Sequence, residues 1–287
     1  MNHMYKPIFK LSKKVFTGIL TMLSLLATFI NFSELFQDKN IIMMVGKIIG
    51  TIILILVISG SYAFLRTKYQ KKVNYFKNNG HTIIGKYGNI LDSIDLGNVN
   101  IVVPVNRCYD TIIDDLVISS NSVHGQIMQY LFQNDLISKE ELNRNIEKSL
   151  KEQNIEAENI GNDVSIGGKS KGKYKRYPVG SVALVVIGTV RFHFIAFSKI
   201  EKNKTAITED LDYLIVLNQI VENIWKNSNG NPIYMPLIGS GLSKLNYDSN
   251  QLLKFMIQFF ELHKNKLNSN VVIMIRKEDQ SKITIQQ

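Results

Sequence analysis

The stretch Asn231-Pro-Ile-Tyr-Met-Pro-Leu-Ile-Gly-Ser-Gly-Leu-Ser-Lys244 reads as a short apolar strand, a loop with glycines at 239 and 241, and the approach to a long amphipathic helix. Glycine admits positive φ and lets a ligand reach bare backbone N–H groups, which can converge on an anion such as a diphosphate. A side chain at either glycine would keep that anion out. The same residues also fit a strand-to-helix turn that binds nothing, and a lone Gly-x-Gly does not separate the two.

Working outward, the chain has 287 residues, enough for about two domains. Its one cysteine, Cys108, excludes an intrachain disulfide framework. Lys and Arg number 34 against 24 Asp and Glu, a formal charge of +10 that fits either nucleic acid or anionic lipid. The placement of the charge decides for lipid. Lys6, Lys10, Lys13, Lys14, Arg66, Lys68, Lys71 and Lys72 flank two apolar segments, and no nucleic-acid partner is expected.

From Val15 to Phe36 the only charge is Glu34, and from Ile41 to Leu65 it is Lys47. Each run meets the ~20 residues a helix needs to cross a bilayer. Residues 1–72 are therefore expected to form a transmembrane hairpin with spans at about 15–36 and 41–65, turning at Asp38, Lys39 and Asn40. A cleaved signal peptide lacks its small-residue site here. Basic clusters outside both spans place both termini in the cytoplasm by the positive-inside rule. Gly46 and Gly50 would permit close helix contact, or merely tolerate lipid while Lys47 snorkels.

Residues 73–287 are expected to form a cytosolic α/β domain with a mixed sheet between two layers of helices. The run His81-Thr-Ile-Ile suggests a first strand over 73–86, and Val99–Asn106 a buried one that displays the loop Asn106-Arg-Cys-Tyr-Asp-Thr111 beyond its carboxyl end. Ser122-Val-His-Gly125 leads into a short helix, and Ser138 with Glu141 fits a capping box. Gly161–Arg176 is glycine-rich and basic, and reads as either an anion-attracting flap or a solvated loop. Its Gly168-Lys169-Ser170 is no P-loop, because Asp163 occupies the required glycine position. Val182–Ile187 and Phe192–Phe197 form a hairpin around Gly188-Thr189. Thr208 is expected to cap a helix with Leu211, Leu214, Ile215, Ile220, Val221, Ile224 and Trp225 at apolar spacing. A helix over 249–266, a strand over 270–275 and a polar tail complete the chain.

With these loops in view a resemblance emerges. Gly88-Asn89-Ile90, Ile101-Val-Val-Pro-Val-Asn106, Pro178-Val-Gly-Ser181 and Pro236-Leu-Ile-Gly-Ser-Gly-Leu242 resemble, in order, the ligand-binding segments of the macro domain. Joined to two spans, residues 81–276 are similar to the membrane-anchored macro-domain effectors of type II Thoeris, a bacterial anti-phage system. The resemblance implies a receptor-effector at the inner membrane, not an enzyme. It would bind an ADP-ribose derivative made from NAD by a TIR-domain partner, with a histidine conjugate as the form associated with that branch. Occupation of the domain would drive homo-oligomerisation and bilayer disruption, with no cofactor and no catalytic residue.

The implied ligand-binding residues are Asn89, Ile90, Asn106, Cys108, Asp110, Thr111, His124, Gly180, Ser181, Leu237, Gly239, Ser240, Gly241 and Leu242. Gly239–Leu242 match the diphosphate loop and Asn106 the asparagine near the distal ribose. Asn89 departs from an aspartate that accepts from the adenine amine, which removes a charge-assisted bond. Arg107–Asp110 depart from a glycine-rich stretch found in macro domains that hydrolyse ADP-ribose linkages, and that bulk argues for sensing. Asp110 could pair with a cationic group on the ligand. A membrane-tethered ADP-ribosyl hydrolase is the alternative, and a plain anchor for ADP-ribosylated proteins a third. The histidines at 3, 81, 124, 193 and 263 show no metal-ligand spacing, and no metal is expected.

Overall fold

A computed structural model describes residues 5–27, 41–78, 80–161, 171–200, 206–207, 209–241, 245 and 247–286. The expected turn at 38–40, the end of the first span, Gly168–Ser170, Thr208 and Leu242 lie outside them. Two compact units result, one of residues 1–71 with 286–287, the other of residues 72–285.

In the first unit, α1 (Tyr5–Ala27) and α2 (Ile41–Tyr69) pack on each other. Ile55, Ser59 and Ala63 recur every fourth residue of α2 and are buried. On α1 the half-covered residues are Ile8, Leu11, Val15, Phe16 and Ile19, while Lys10, Lys13, Lys14, Thr17 and Thr21 share the exposed side. The threonine hydroxyls are satisfied within the helix, Thr17 Oγ1 donating to the Lys13 carbonyl at 3.0 Å and Thr21 Oγ1 to that of Thr17 at 2.9 Å. Among the described residues one helix, Val45–Tyr69, is long and apolar enough to cross a membrane; the first expected span runs on past residue 27, beyond the described residues. The described part of the first expected span carries no charged residue and exposes Leu20, Met22, Leu23 and Leu25.

The second unit is a three-layer α/β/α domain. Its strands are β1 (Lys72–Asn78), β2 (His81–Tyr87), β3 (Asn100–Asn106), β4 (Glu158–Asn159), β5 (Lys175–Arg176), β6 (Val182–Ile187), β7 (Val190–Ile200), β8 (Ala206–Ile207), β9 (Ile233–Pro236) and β10 (Val271–Ile275). Its helices are α3 (Val123–Gln133), α4 (Lys139–Glu152), α5 (Asp210–Asn227) and α6 (Ser249–Leu262). The main sheet runs β1-β2-β10-β9-β3-β7-β6, with β8 on β7. Its five central strands are parallel, and antiparallel pairs close both sides, β1 on β2 and β6 on β7. The single strand expected over 73–86 is thus a hairpin, turned at Gly80 with φ +85°.

Side chains alternate between two cores, as strands buried on both faces require. Val271, Ile273 and Ile275 of β10 meet α5 and α6, while Val272 and Met274 join the core on the α3 and α4 side. The inward face of α5 is Tyr213, Val216, Leu217, Ile220, Val221 and Ile224. Leu211, Leu214 and Trp225, expected on that face, are 66%, 42% and 53% exposed, because the buried stripe is centred nearer Leu217. The N-cap of α5 is Glu209, which makes no side-chain capping bond. The tail expected to be polar carries Ile283 and Ile285, 4% and 1% exposed, into the core.

At the amino edge of the sheet Asn100, on β3, is fully buried. Its Nδ2 donates to the carbonyls of Ser228 and Asn231 at 3.0 and 3.1 Å. Its Oδ1 therefore faces His193 Nε2 at 2.8 Å, which must donate. Nδ1 lies 2.7 Å from Asn223 Oδ1, a second acceptor, so the ring satisfies both oxygens only when it is protonated. Burial lowers the His193 pKa to about 4, partly offset by Asn223 and reinforced by Arg191. Below the ordinary value of 6.5 the unfolded chain takes up a proton that the folded one refuses, so the contribution is intact above that pH. It is lost as pH falls toward about 4, at up to about 1.4 kcal/mol per pH unit. Thermal melts of the full chain in detergent should show this loss, and His193→Gln should flatten the fall between those pH values.

Candidate functional site at the carboxyl edge of the sheet

Parallel strands end on one side, so the loops after β2, β3 and β9 and the turn before β6 gather at the carboxyl edge. Registers level them. Met274 pairs with both Lys86 and Pro236, Ile101 pairs with Tyr234, and Asn106 pairs with Ser198. Asn89, Asn106, Ser181 and Gly239 thus lie along one end of the sheet.

The loop after β9 is only half as glycine-dependent as its sequence suggests. Gly239 has φ +86°, and a Cβ there would lie 2.8 Å from Leu245 Cδ1, so this glycine is demanded by backbone and packing. Gly241 has no positive φ, and among the described residues a Cβ there would meet nothing within 4 Å. It is the position beside which a ligand has room. Ser240 Oγ donates to the Leu237 carbonyl at 2.8 Å and tightens the turn, while Leu237 is buried beneath it.

The loop after β3 is self-closed. Asn106 Oδ1 accepts from the N–H groups of Cys108 and Asp110 at 3.1 and 3.3 Å, and Tyr109 takes φ +50°. Cys108, Asp110 and Thr111 are all buried. Asp110 Oδ1 accepts from the Lys173 N–H at 2.6 Å, and Thr111 Oγ1 donates to Asn143 Oδ1 at 3.3 Å. His124, in the first turn of α3, is buried, and its Nε2 has no hydrogen-bond partner among the described residues. Burial drives its pKa down to about 3, opposed by a hydrogen bond to the Asp110 backbone and assisted by the Lys173 charge. The imidazole is neutral at physiological pH.

Tyr109 ties this loop to its neighbour. Its hydroxyl donates to the Ser181 carbonyl at 2.6 Å, and its ring meets Tyr177 edge to face at 5.4 Å. It thereby couples the Asn106 loop to the Pro178–Ser181 turn. Ser181 Oγ donates to the Pro178 carbonyl at 2.7 Å. Gly180, with φ +79°, packs so closely on α5 that a Cβ would lie 2.9 Å from Gln219 Cγ. Its glycine is thus explained by the helix. Arg107 and Tyr177 are bonded twice, the Tyr177 N–H donating to the Arg107 carbonyl at 2.8 Å and the Arg107 side-chain Nε to the Tyr177 carbonyl at 2.9 Å. Such long-range pairings have no local sequence signal.

Asn89 is exposed, and its Oδ1 accepts from the Leu91 N–H at 3.0 Å, capping the 3₁₀ turn Ile90–Leu96. The Asn89 side-chain carbonyl is thus already engaged, with Ile90 buried beside it. A cavity of about 550 Å³ lies beside this edge, lined by Cys108, Tyr109, Glu147, Lys173, Tyr174 and Tyr177 among others. It adjoins the Asn106 loop rather than the two-glycine loop. Among the described residues no group of three His, Cys, Asp or Glu could hold a metal ion.

Residues 83–276 match the family described as the macro domain of the Thoeris protein ThsA. The chain belongs to this family. Over 275 residues it is 27% identical to the Thoeris protein ThsA of Bacillus amyloliquefaciens (strain Y2), covering 92% of this chain and 84% of that protein. Similar solved structures include the Oceanobacillus iheyensis macrodomain with ADP, at 18% identity and TM-score 0.45, covering 74% of this chain and 93% of that one. A mutant of the same macrodomain with ADPR has 16% identity and TM-score 0.46 over 73% of this chain and 93% of its own. Within the ThsA macro-domain family, this chain follows Asn106 with Arg107, Cys108, Tyr109 and Asp110, three of them buried.

The two loop glycines should separate on substitution. Gly239→Ala combines a strained φ with a clash and should cost about 1–3 kcal/mol. Gly241→Ala should stay within about 0.5 kcal/mol of wild type. Paired thermal melts check both.

Proposed function

We propose that the chain is a membrane-anchored receptor-effector of Thoeris defence, with residues 1–72 as anchor and residues 73–287 as the domain that binds an ADP-ribose derivative. The observation that carries the reading is the convergence of Asn89, Asn106, Ser181 and the 237–241 loop at one sheet edge, with open space at Gly241. Family membership supports it.

In this reading the diphosphate lies along the backbone of Gly239–Gly241, the adenine end near Asn89 and Ile90, and the distal ribose beside Asn106. Backbone N–H groups neutralise the anion without a cofactor. Cys108, Asp110, Thr111, His124, Gly180, Ser181, Leu237 and Ser240 shape the walls. The buried, self-bonded loop after Asn106 leaves its side-chain oxygen holding two N–H groups, which favours holding a ligand over cleaving it. A TIR-domain partner would supply the signal, carrying a histidine substituent at the distal end.

Occupation would then assemble copies of the chain in the inner membrane, termini on the cytoplasmic side, and disrupt the bilayer. For that, the ligand must bind the assembled state more tightly by several kcal/mol, since equal affinity for both states moves neither.

Calorimetry of the full chain in detergent with ADP-ribose should give saturable binding, and Gly241→Glu should weaken it at least about a hundredfold by placing a carboxylate against the diphosphate. Unchanged affinity in that variant would displace the diphosphate from this loop. Turnover of the ADP-ribose would replace the receptor with a hydrolase. Liposomes holding the full chain should leak only when an ADP-ribose conjugate is added; leakage that ignores it would remove the switch.

A further inference from the structure

The end of the chain links elements that the sheet does not. After β10 the backbone crosses the first turn of α6, where Asn250 is 7% exposed and grips it from both sides. Asn250 Nδ2 donates to the Lys282 carbonyl at 3.0 Å, and its Oδ1 accepts from the Thr284 N–H at 2.8 Å. Ile283 and Ile285 then enter the core beside β2. Tyr87 donates its hydroxyl proton to the Ile283 carbonyl at 2.7 Å and accepts from the Ile285 N–H at 3.1 Å. Tyr75, on β1, donates to the Ile285 carbonyl at 2.7 Å across Gly85, which has no side chain to block the ring. One residue further, Gln286 Nε2 donates to Gln70 Oε1 at 2.8 Å.

Two features give this arrangement a consequence. β1 is an edge strand paired only with β2 and interrupted by a bulge between Asn74 and Phe76, so the sheet alone holds it weakly. It also follows α2 directly, after Gln70 and Lys71. At the other end, α6 begins where the loop after β9 ends, capped by Asp248 with Gln251 in a capping box, and Leu245 donates to the Gly239 carbonyl at 3.4 Å.

We propose that Lys282–Ile285 is a strap that transmits the position of α6 to β1, and so to the strand that leads out of the membrane helix. It rests on the ADP-ribose reading only for what moves α6. The link itself is a property of the fold: a shift at the start of α6 pulls on Asn250, the strap carries it to Tyr87 and Tyr75, and β1 tightens or frays.

Amide hydrogen exchange on the full chain in detergent, with no ligand present, tests the strap. Tyr75→Phe, which keeps the ring, and Asn250→Ala should each raise exchange at residues 73–78 about five- to tenfold, leaving β3 and β10 unchanged. Asp248→Ala, which loosens the start of α6, should raise exchange at the same β1 amides, and should add nothing in a Tyr75→Phe background. Unchanged β1 exchange in Tyr75→Phe and Asn250→Ala would overturn the strap. Additive effects of Asp248→Ala and Tyr75→Phe would overturn transmission through it. Failure of ADP-ribose binding would overturn the ligand assignment and leave both results standing.

Discussion

The Asn100 side chain holds this domain in register. Buried at the amino end of β3, it donates to two carbonyls from the α5–β9 connection and faces a histidine on β7, so three elements are pinned at one point. Parallel strands have no hairpin to set their alignment, and a slip of one residue would turn each core side chain to the wrong face. A satisfied buried amide supplies that alignment because every wrong register would leave its donors unpaired, at about 1–3 kcal/mol each.

From that point the geometry follows. With Asn100 level with Ile233, β3 ends at Asn106 alongside the turn at 237–241. The carboxyl edge then carries several backbone loops that come from distant parts of the chain. Tyr109 closes the assembly by bonding the loop after β3 to the turn before β6. Much of the edge is held by its own hydrogen bonds, so a ligand would find walls already in place and lose little entropy in ordering them.

The same economy governs the outer face. The core beneath α5 and α6 extends to Ile283 and Ile285, and the residues between them and α6 are fixed by one asparagine. An edge strand that enters from an apolar helix is thereby tied to the helix behind the two-glycine loop. The molecule thus has a continuous line of packed contacts where the sheet alone offers a weak margin.

Much of this was legible in the residues themselves. The β-branched runs at 101–105 and 271–275 and the hairpin at 188–189 are local signals, because each depends on side chains a few positions apart. The segment order, with Asn106 ending a strand and Asn89, Ser181 and Gly239 just beyond or before one, marked the edge where a site could form. Sequence spacing alone placed α5 one step off its buried face, read 73–86 as one strand and left the tail polar. Each of those outcomes depends on what lies across the core. Tertiary structure alone decided that Gly180 and Gly239 serve packing while Gly241 meets none of the described residues, and that Tyr109, Asn250 and Tyr75 join segments far apart in the chain. A contact between distant residues has an energy only once the fold has brought them together, and no pattern along the chain encodes it.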